Sequence, residues 1–286
     1  MAVQGVSAQS VQDLVRTHQY TEAIETLGSE VSGAKAFMLG QAHMRRGYAL
    51  RDLARLHVRL GAAYYAGRQE NEEARSTPWT DYYAARYQAA LNPSGNAVQA
   101  LRELVEAGDL PEGYTPRAQV WIHRRQASAG KDHPEGWPAV SGSSPALQAD
   151  LALARWQVGA GLPALDCGSG DTPAAMRCAL WAAVETENWK EVVRLQKELL
   201  GATRLVDEEA TLEDYSIRYY DPGTLMALAA ADFRAAAAAY QRITGKRKPQ
   251  ATLLAGICAL QGHDQESARQ LLDAAPASPL RKLYRA

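Results

Sequence analysis

Five times along this chain a helix-capping side chain is followed by proline and then by apolar residues at helical spacing: Thr77-Pro78, Thr115-Pro116, Ser144-Pro145, Thr172-Pro173 and Asp221-Pro222. The hydroxyl or carboxylate accepts a bond from a first-turn N–H that has no intrahelical partner. The proline lacks the N–H that would otherwise be left over. Each pair therefore starts a helix. Between one start and the next there is room for two antiparallel helices, as in 77–110, where Asn92-Pro93-Ser94-Gly95 supplies the break. The building unit is a helical hairpin. Period-2 runs of β-branched residues and Asn-Gly or Asp-Gly turns are lacking, so the expected fold is all-α.

Composition narrows the functional classes. A net charge of −1 gives the chain as a whole no electrostatic reason to seek nucleic acid or anionic lipid. No window approaches the roughly 18 to 20 unbroken apolar residues of a membrane span, and the start, MAVQGVSAQSVQDLV, lacks the basic and apolar regions of a secretory signal. The expected compartment is the cytoplasm. Cys167, Cys178 and Cys258 form an odd set without CxxC spacing, which argues against a disulfide framework or a zinc site and for small core residues. The abundance of Ala, Arg, Leu, Gln and Gly beside only two Phe fits a GC-rich bacterial genome.

Several hairpins share a more specific pattern. His18-Gln19-Tyr20 with Glu22, Ala23, Ile24 and Leu27 reads as a turn and second helix, with Val11 and Leu14 on the helix before it. Leu39-Gly40 is followed by Ala42, His43, Gly47 as the turn glycine, and Tyr48; Trp189 at the turn aromatic is followed by Val192, Val193 and Leu199. Leu254, Ala255, Cys258, Gly262, Ala268, Leu271, Ala274 and Pro276 complete a last copy. These stretches resemble the tetratricopeptide repeat, most clearly at 11–60, 172–200 and 249–276; the hairpins between 60 and 165 depart from it, with irregular spacing and no Leu-Gly pair. The resemblance implies a right-handed α-solenoid of antiparallel hairpins over 1–286, irregular in the middle. Any subdivision would fall near 131–144. It also implies a role in holding or assembling other proteins.

Catalytic signatures are scarce. Asp166, Gly168 and Gly170 echo the acidic, glycine-bearing loop of S-adenosylmethionine-dependent methyltransferases, but such a loop must end a β-strand, and an alanine-rich helical stretch precedes this one. A small-molecule enzyme built around 164–173 is accordingly the weakest of three readings. The six histidines show no HxxxH or HExxH spacing, and no GxSxG, P-loop or kinase motif occurs. We therefore expect no catalysis, no metal and no cofactor, and read His43 and His57 as packing or surface residues.

Charge segregation is more informative. Between residues 42 and 68 six arginines (45, 46, 51, 55, 59, 68) face one acid, Asp52. Arg51, Arg55 and Arg59 recur at i, i+4, which lines their guanidinium groups along one helix face; like charges so placed repel and do not stabilise the helix. Either Glu70, Glu72, Glu73 and the acidic run 207–214 neutralise them, or they meet a carboxylate-bearing partner. Paired tyrosines add a second candidate. Tyr65 with Tyr82 and Tyr83 either seals the seam between hairpins or lines a groove beside the polar loop 67–78. The reading that unites these features is a scaffold or adaptor that receives a peptide or helix of a partner protein, acidic where it meets the arginines, on a concave surface. The second reading is a self-assembling homo-oligomer with the C-terminal SPLRKLYRA reaching a neighbour.

Overall fold

The computed structural model describes residues 8–70, 80–91, 98–110, 114–128, 137, 147, 148, 151, 154, 155, 173–202 and 222–285. Every regular element among them is helical, as expected: α1 Ala8–Arg16, α2 Tyr20–Leu27, α3 Gly33–Glu70, α4 Thr80–Leu91, α5 Gln99–Ala107, α6 Tyr114–Ser128, α7 Pro173–Glu185, α8 Trp189–Ala202, α9 Pro222–Gln241, α10 Lys248–Gln261, α11 Gln265–Ala274 and α12 Pro279–Arg285. A short 3₁₀ turn, Gly245–Arg247, leads into α10. Among these elements no helix is long and apolar enough to cross a membrane.

Of the three cap-proline starts that can be read, two fall where expected and Thr115-Pro116 does not, because Thr115 lies inside its helix and cannot cap it. Helices α7 and α9 begin at Pro173 and Pro222, while α6 begins at Tyr114 with Pro116 inside its first turn. The starts at Thr77-Pro78 and Ser144-Pro145 lie outside the described residues.

The chain divides into two compact units. The first comprises 1–52, 179–202 and 224–286; the second comprises 53–178 and 203–223. The boundaries thus cut α3, α7 and the first turn of α9.

In the first unit, three hairpins, α1–α2, α7–α8 and α10–α11, are closed by one and the same turn. In each, the second turn residue has positive φ: His18 at 65°, Glu187 at 53° and His263 at 60°. In each, the third turn residue donates back five positions, Gln19 to the Leu14 carbonyl, Asn188 to Ala183 and Asp264 to Ala259, all at 2.9 Å. This bond satisfies a last-turn carbonyl that α-helix geometry leaves over. In two of the three the third residue also caps the next helix: Asp264 Oδ1 accepts from the Ser267 N–H at 3.0 Å and Asn188 Oδ1 from the Glu191 N–H at 3.3 Å, whereas the Gln19 side chain makes no such bond.

Packing follows from the same register. In the last hairpin a Cβ on Gly256 would lie 2.9 Å from the Leu272 side chain and 3.1 Å from its backbone nitrogen, so only glycine allows this approach of α10 to α11. Helix α9 is buried around most of its circumference and is the centre of the unit, with Leu225, Leu228, Phe233 and Tyr240 almost fully covered. Along it runs the start of α3, antiparallel, with Gly40 under the Tyr240 ring and Gly47 against Phe233 and the Ala229 carbonyl.

That last contact corrects one expectation. Gly47 does not close a turn, because α3 continues unbroken to Glu70; its missing side chain makes room for Phe233. Cysteine usage needs a second correction. Cys258 is free and buried, with its thiol pushed up to about 12 by desolvation, but Cys178 is disulfide-bonded.

In the second unit, the remainder of α3 packs with α4, α5 and α6 around an aromatic core. Tyr65 stacks on Tyr83 (ring centroids 5.2 Å apart, 23° between planes), and Tyr82 meets Tyr114 edge-on at 4.9 Å. Leu101, Ala118 and Ile122 fill the spaces between them.

Candidate functional site

The second-unit part of α3 has two distinct faces. Ala54, His57, Gly61 and Tyr65, at spacings of three and four, point into the core. The opposite face carries Arg55 and Arg59, both exposed, and beside them Leu56 and Leu60, which are 50% and 41% exposed. Two leucines one helical turn apart and open to water, flanked by guanidinium groups, form an amphipathic surface with no apolar cover among the described residues. Arginines next to leucines can orient an acidic ligand while the leucines supply contact area.

The sequence-selected residues separate in the structure. Tyr65, Tyr82 and Tyr83 are 5%, 2% and 3% exposed. They are seam residues, and rings so covered have no area to offer a groove. Arg51 belongs to the first unit, where it is half-buried, stacks over the Tyr48 ring at 4.8 Å and donates to Gln261 Oε1. Arg46, counted with the basic run, is 5% exposed and lies in the core. Arg55 and Arg59 remain at the surface. The acidic run 207–214 and Asp166, Gly168 and Gly170 lie outside the described residues.

A second arrangement was not anticipated from the sequence. Deep in the first unit, Asp232 of α9 is fully buried and accepts four hydrogen bonds: from His43 Nδ1 at 2.7 Å, from Arg46 Nε and Nη2 at 2.8 Å each, and from Gln196 Nε2 at 3.2 Å. The Gln196 oxygen accepts from Arg46 at 2.7 Å, and the Thr21 hydroxyl from Arg46 at 3.2 Å. Helices α2, α3, α8 and α9 each contribute a member. Burial by itself pushes the Asp232 carboxyl up, but Arg46 and His43 outweigh it and hold the group below its usual range. Burial, with Arg46 beside it, depresses the His43 imidazole. The resting network is therefore a carboxylate, a guanidinium and a neutral imidazole.

One wall of this network borders a shallow surface pocket of about 10 Å³, room for roughly one water, lined by Ile24, Gly28, Ser29, Leu39, His43, Trp189, Val193, Ala235, Ala239 and Arg242. The lining is mostly apolar, with the His43 ring on one side and the Arg242 side chain at the rim. No group of three metal-ligating side chains occurs among the described residues.

Local patterns carry little trace of this network. His43 and Arg46 share a face of α3 at i, i+3, a spacing equally suited to solvent. The informative signal is a lone aspartate in the middle of α9, inside LMALAAADFRAAAAA, where a carboxylate without a partner would be prohibitively costly. No family model matches the chain, and comparison with curated proteins and with solved structures found no match.

Proposed function

We propose that this chain is a non-catalytic interaction protein whose α3 surface at Arg55, Leu56, Arg59 and Leu60 receives an amphipathic helix of a partner. That helix presents leucine-sized side chains on one face and Asp or Glu beside them. The observation that carries the reading is the pair of exposed leucines one turn apart with arginines alongside. Half-exposed leucines have apolar area still to bury, on the order of 1 kcal/mol each at about 25 cal/mol per Å². Flanking guanidinium groups select carboxylates and accelerate encounter.

The recurrence of one turn in three hairpins supports the wider reading of a tetratricopeptide-like array, right-handed and acting as a scaffold in the cytoplasm. A self-assembling role is favoured by one observation of its own, the 43% and 71% exposure of Leu280 and Leu283 on α12.

A photo-crosslinking amino acid at position 56, with position 269 on the exposed side of α11 as control, tests the proposal in cells. The expected product is one heterologous adduct at 56, absent at 269 and lost on Arg55→Glu/Arg59→Glu, whose crosslinked peptide is amphipathic and acidic. Adducts with a second copy would transfer the assignment to self-assembly. Identical adducts at both positions, or none, would overturn it.

A further inference from the structure

Charge in the first unit is unevenly spread. From residue 233 to 263 the chain has no Asp or Glu, and from 31 to 51 it has none either. These two acid-free stretches lie against each other: the Phe37 ring of α3 meets the Tyr240 ring of α9 edge-on at 5.6 Å, and the Arg247 guanidinium lies over Phe37 at 5.3 Å. On the connection from α9 to α10, Arg242, Lys246, Arg247 and Lys248 are all exposed, three of them consecutive along the 3₁₀ turn and the start of α10. None of the four has a carboxylate partner among the described residues; Arg242 donates to the Ser29 carbonyl and Arg247 covers Phe37. Elsewhere in the unit Arg194, Lys197, Arg234 and Arg285 are each paired with Asp or Glu. Like charges gathered without a counter-charge repel, and an anionic partner relieves that repulsion.

We propose that this basic turn is a nucleic-acid contact, which grips the phosphate backbone of a duplex without reading its bases. The choice of partner follows from what accompanies the cations. The large apolar side chains exposed among the described residues, Leu56, Leu60, Leu91, Leu280 and Leu283, all lie outside both stretches. A peptide partner is anchored by apolar and aromatic side chains, and a lipid-binding segment gains affinity by inserting apolar ones; a phosphate backbone asks only for Lys and Arg. The two rings at the contact, Phe37 and Tyr240, are partly and almost fully buried, so neither offers a face on which an unpaired base could stack, and this favours a duplex over a single strand. A net charge of −1 conceals the surface, because acids elsewhere in the chain offset it. The turn belongs to the first unit and the docking face of α3 to the second, and neither assignment depends on the other.

Fluorescence anisotropy with mixed-sequence duplexes of about 20 base pairs, one of DNA and one of RNA, tests this over about 50–200 mM salt. At least one duplex binds, equally well when its sequence is scrambled, and binding to only one of them names the nucleic acid. Log K falls against log salt with a slope of about −3, as neutralising about three phosphates at roughly 0.9 counterion each requires. Lys246→Gln/Lys248→Gln, a change at exposed side chains, keeps the parent's circular dichroism, weakens binding at least about ten-fold at low salt and brings the slope to about −1. Arg55→Gln/Arg59→Gln binds as the parent does. The proposal fails if neither duplex binds at the lowest salt, if Lys246→Gln/Lys248→Gln binds as tightly as the parent, or if Arg55→Gln/Arg59→Gln loses as much. Retention on phosphatidylglycerol vesicles without duplex binding would move the turn to a membrane surface and overturn it as well.

Discussion

His43 and Asp232 stand 189 residues apart in the chain and 2.7 Å apart in the fold, Nδ1 to Oδ1, with neither exposed by more than 3%. The carboxylate is held at the same time by the Arg46 guanidinium. A buried charge pair contributes little net stability compared with a well-packed apolar replacement, yet removal of one partner leaves the other charge stranded in the core.

From this comes the first prediction. Asp232→Ala strands Arg46 and costs about 3–5 kcal/mol in urea-induced unfolding. Asp232→Asn keeps the shape and some hydrogen bonds and falls between the parent and the alanine variant. Equal stability of all three would show that the network is not formed.

Stability also depends on pH through this pair. The folded-state pKa of His43 is depressed, so below its unfolded value, about 6.5, the unfolded chain binds a proton that the folded chain refuses. Stability from this source is complete above that pH and declines as pH falls toward the folded value. Asp232 is depressed too, and its contribution is lost in more acidic solution, as pH falls from about 3.9 through its folded value. His57 and His123, both lowered by burial, act in the same direction as His43. Thermal melts between pH 7.5 and 5 should therefore show a falling Tm, with a smaller decline in His43→Asn than in the parent.

Two glycines of α3 should respond to alanine with opposite signs. At Gly40 the added Cβ would lie 2.8–2.9 Å from three carbons of the buried Tyr240 ring, which forces that ring to move; a loss of about 1–3 kcal/mol is expected. At Gly67 the added carbon meets nothing within 4 Å, so the gain in helix propensity, up to about 1 kcal/mol, appears undiminished. Denaturant midpoints measured on the two variants side by side check both signs.

The shared turn predicts a stabilising change at Glu187. This exposed residue has φ of 53°, a conformation costly for a side chain and easy for glycine. Glu187→Gly should gain several tenths of a kcal/mol and raise Tm by a few degrees, while the β-branched Glu187→Val should lower it. Calorimetric scans of both variants decide.

Thiol counting tests the cysteines. With Cys178 in a disulfide and three cysteines in the chain, unfolded protein without reductant should react at one thiol, Cys258, and with reductant at three. The native protein should react far more slowly, because Cys258 is buried and its thiolate is disfavoured. Three reactive thiols without reductant would remove the disulfide.

Much of this fold is legible in the residues themselves. Pro173 and Pro222 announce their helices because a cap and a missing N–H act within one turn, and the turns at 17–19, 186–188 and 262–264 follow from local hydrogen bonding. The exposure of Arg55 and Arg59 was equally within reach, since an i, i+4 row of like charge has to face water or a partner.

What local pattern could not assign was the company each side chain keeps. Arg46, Arg51 and Arg59 look alike in sequence, yet one neutralises Asp232 in the core, one stacks on Tyr48 and one lies on the surface. Gly47 reads as a turn until Phe233, 186 residues on, is found against it. Helix identity and hairpin closure depend on neighbours within about five residues, and the sequence by itself determined them. Which helix faces meet depends on burial summed over distant segments. Tertiary structure therefore decided where the buried charges, the surface pocket and the exposed leucines lie.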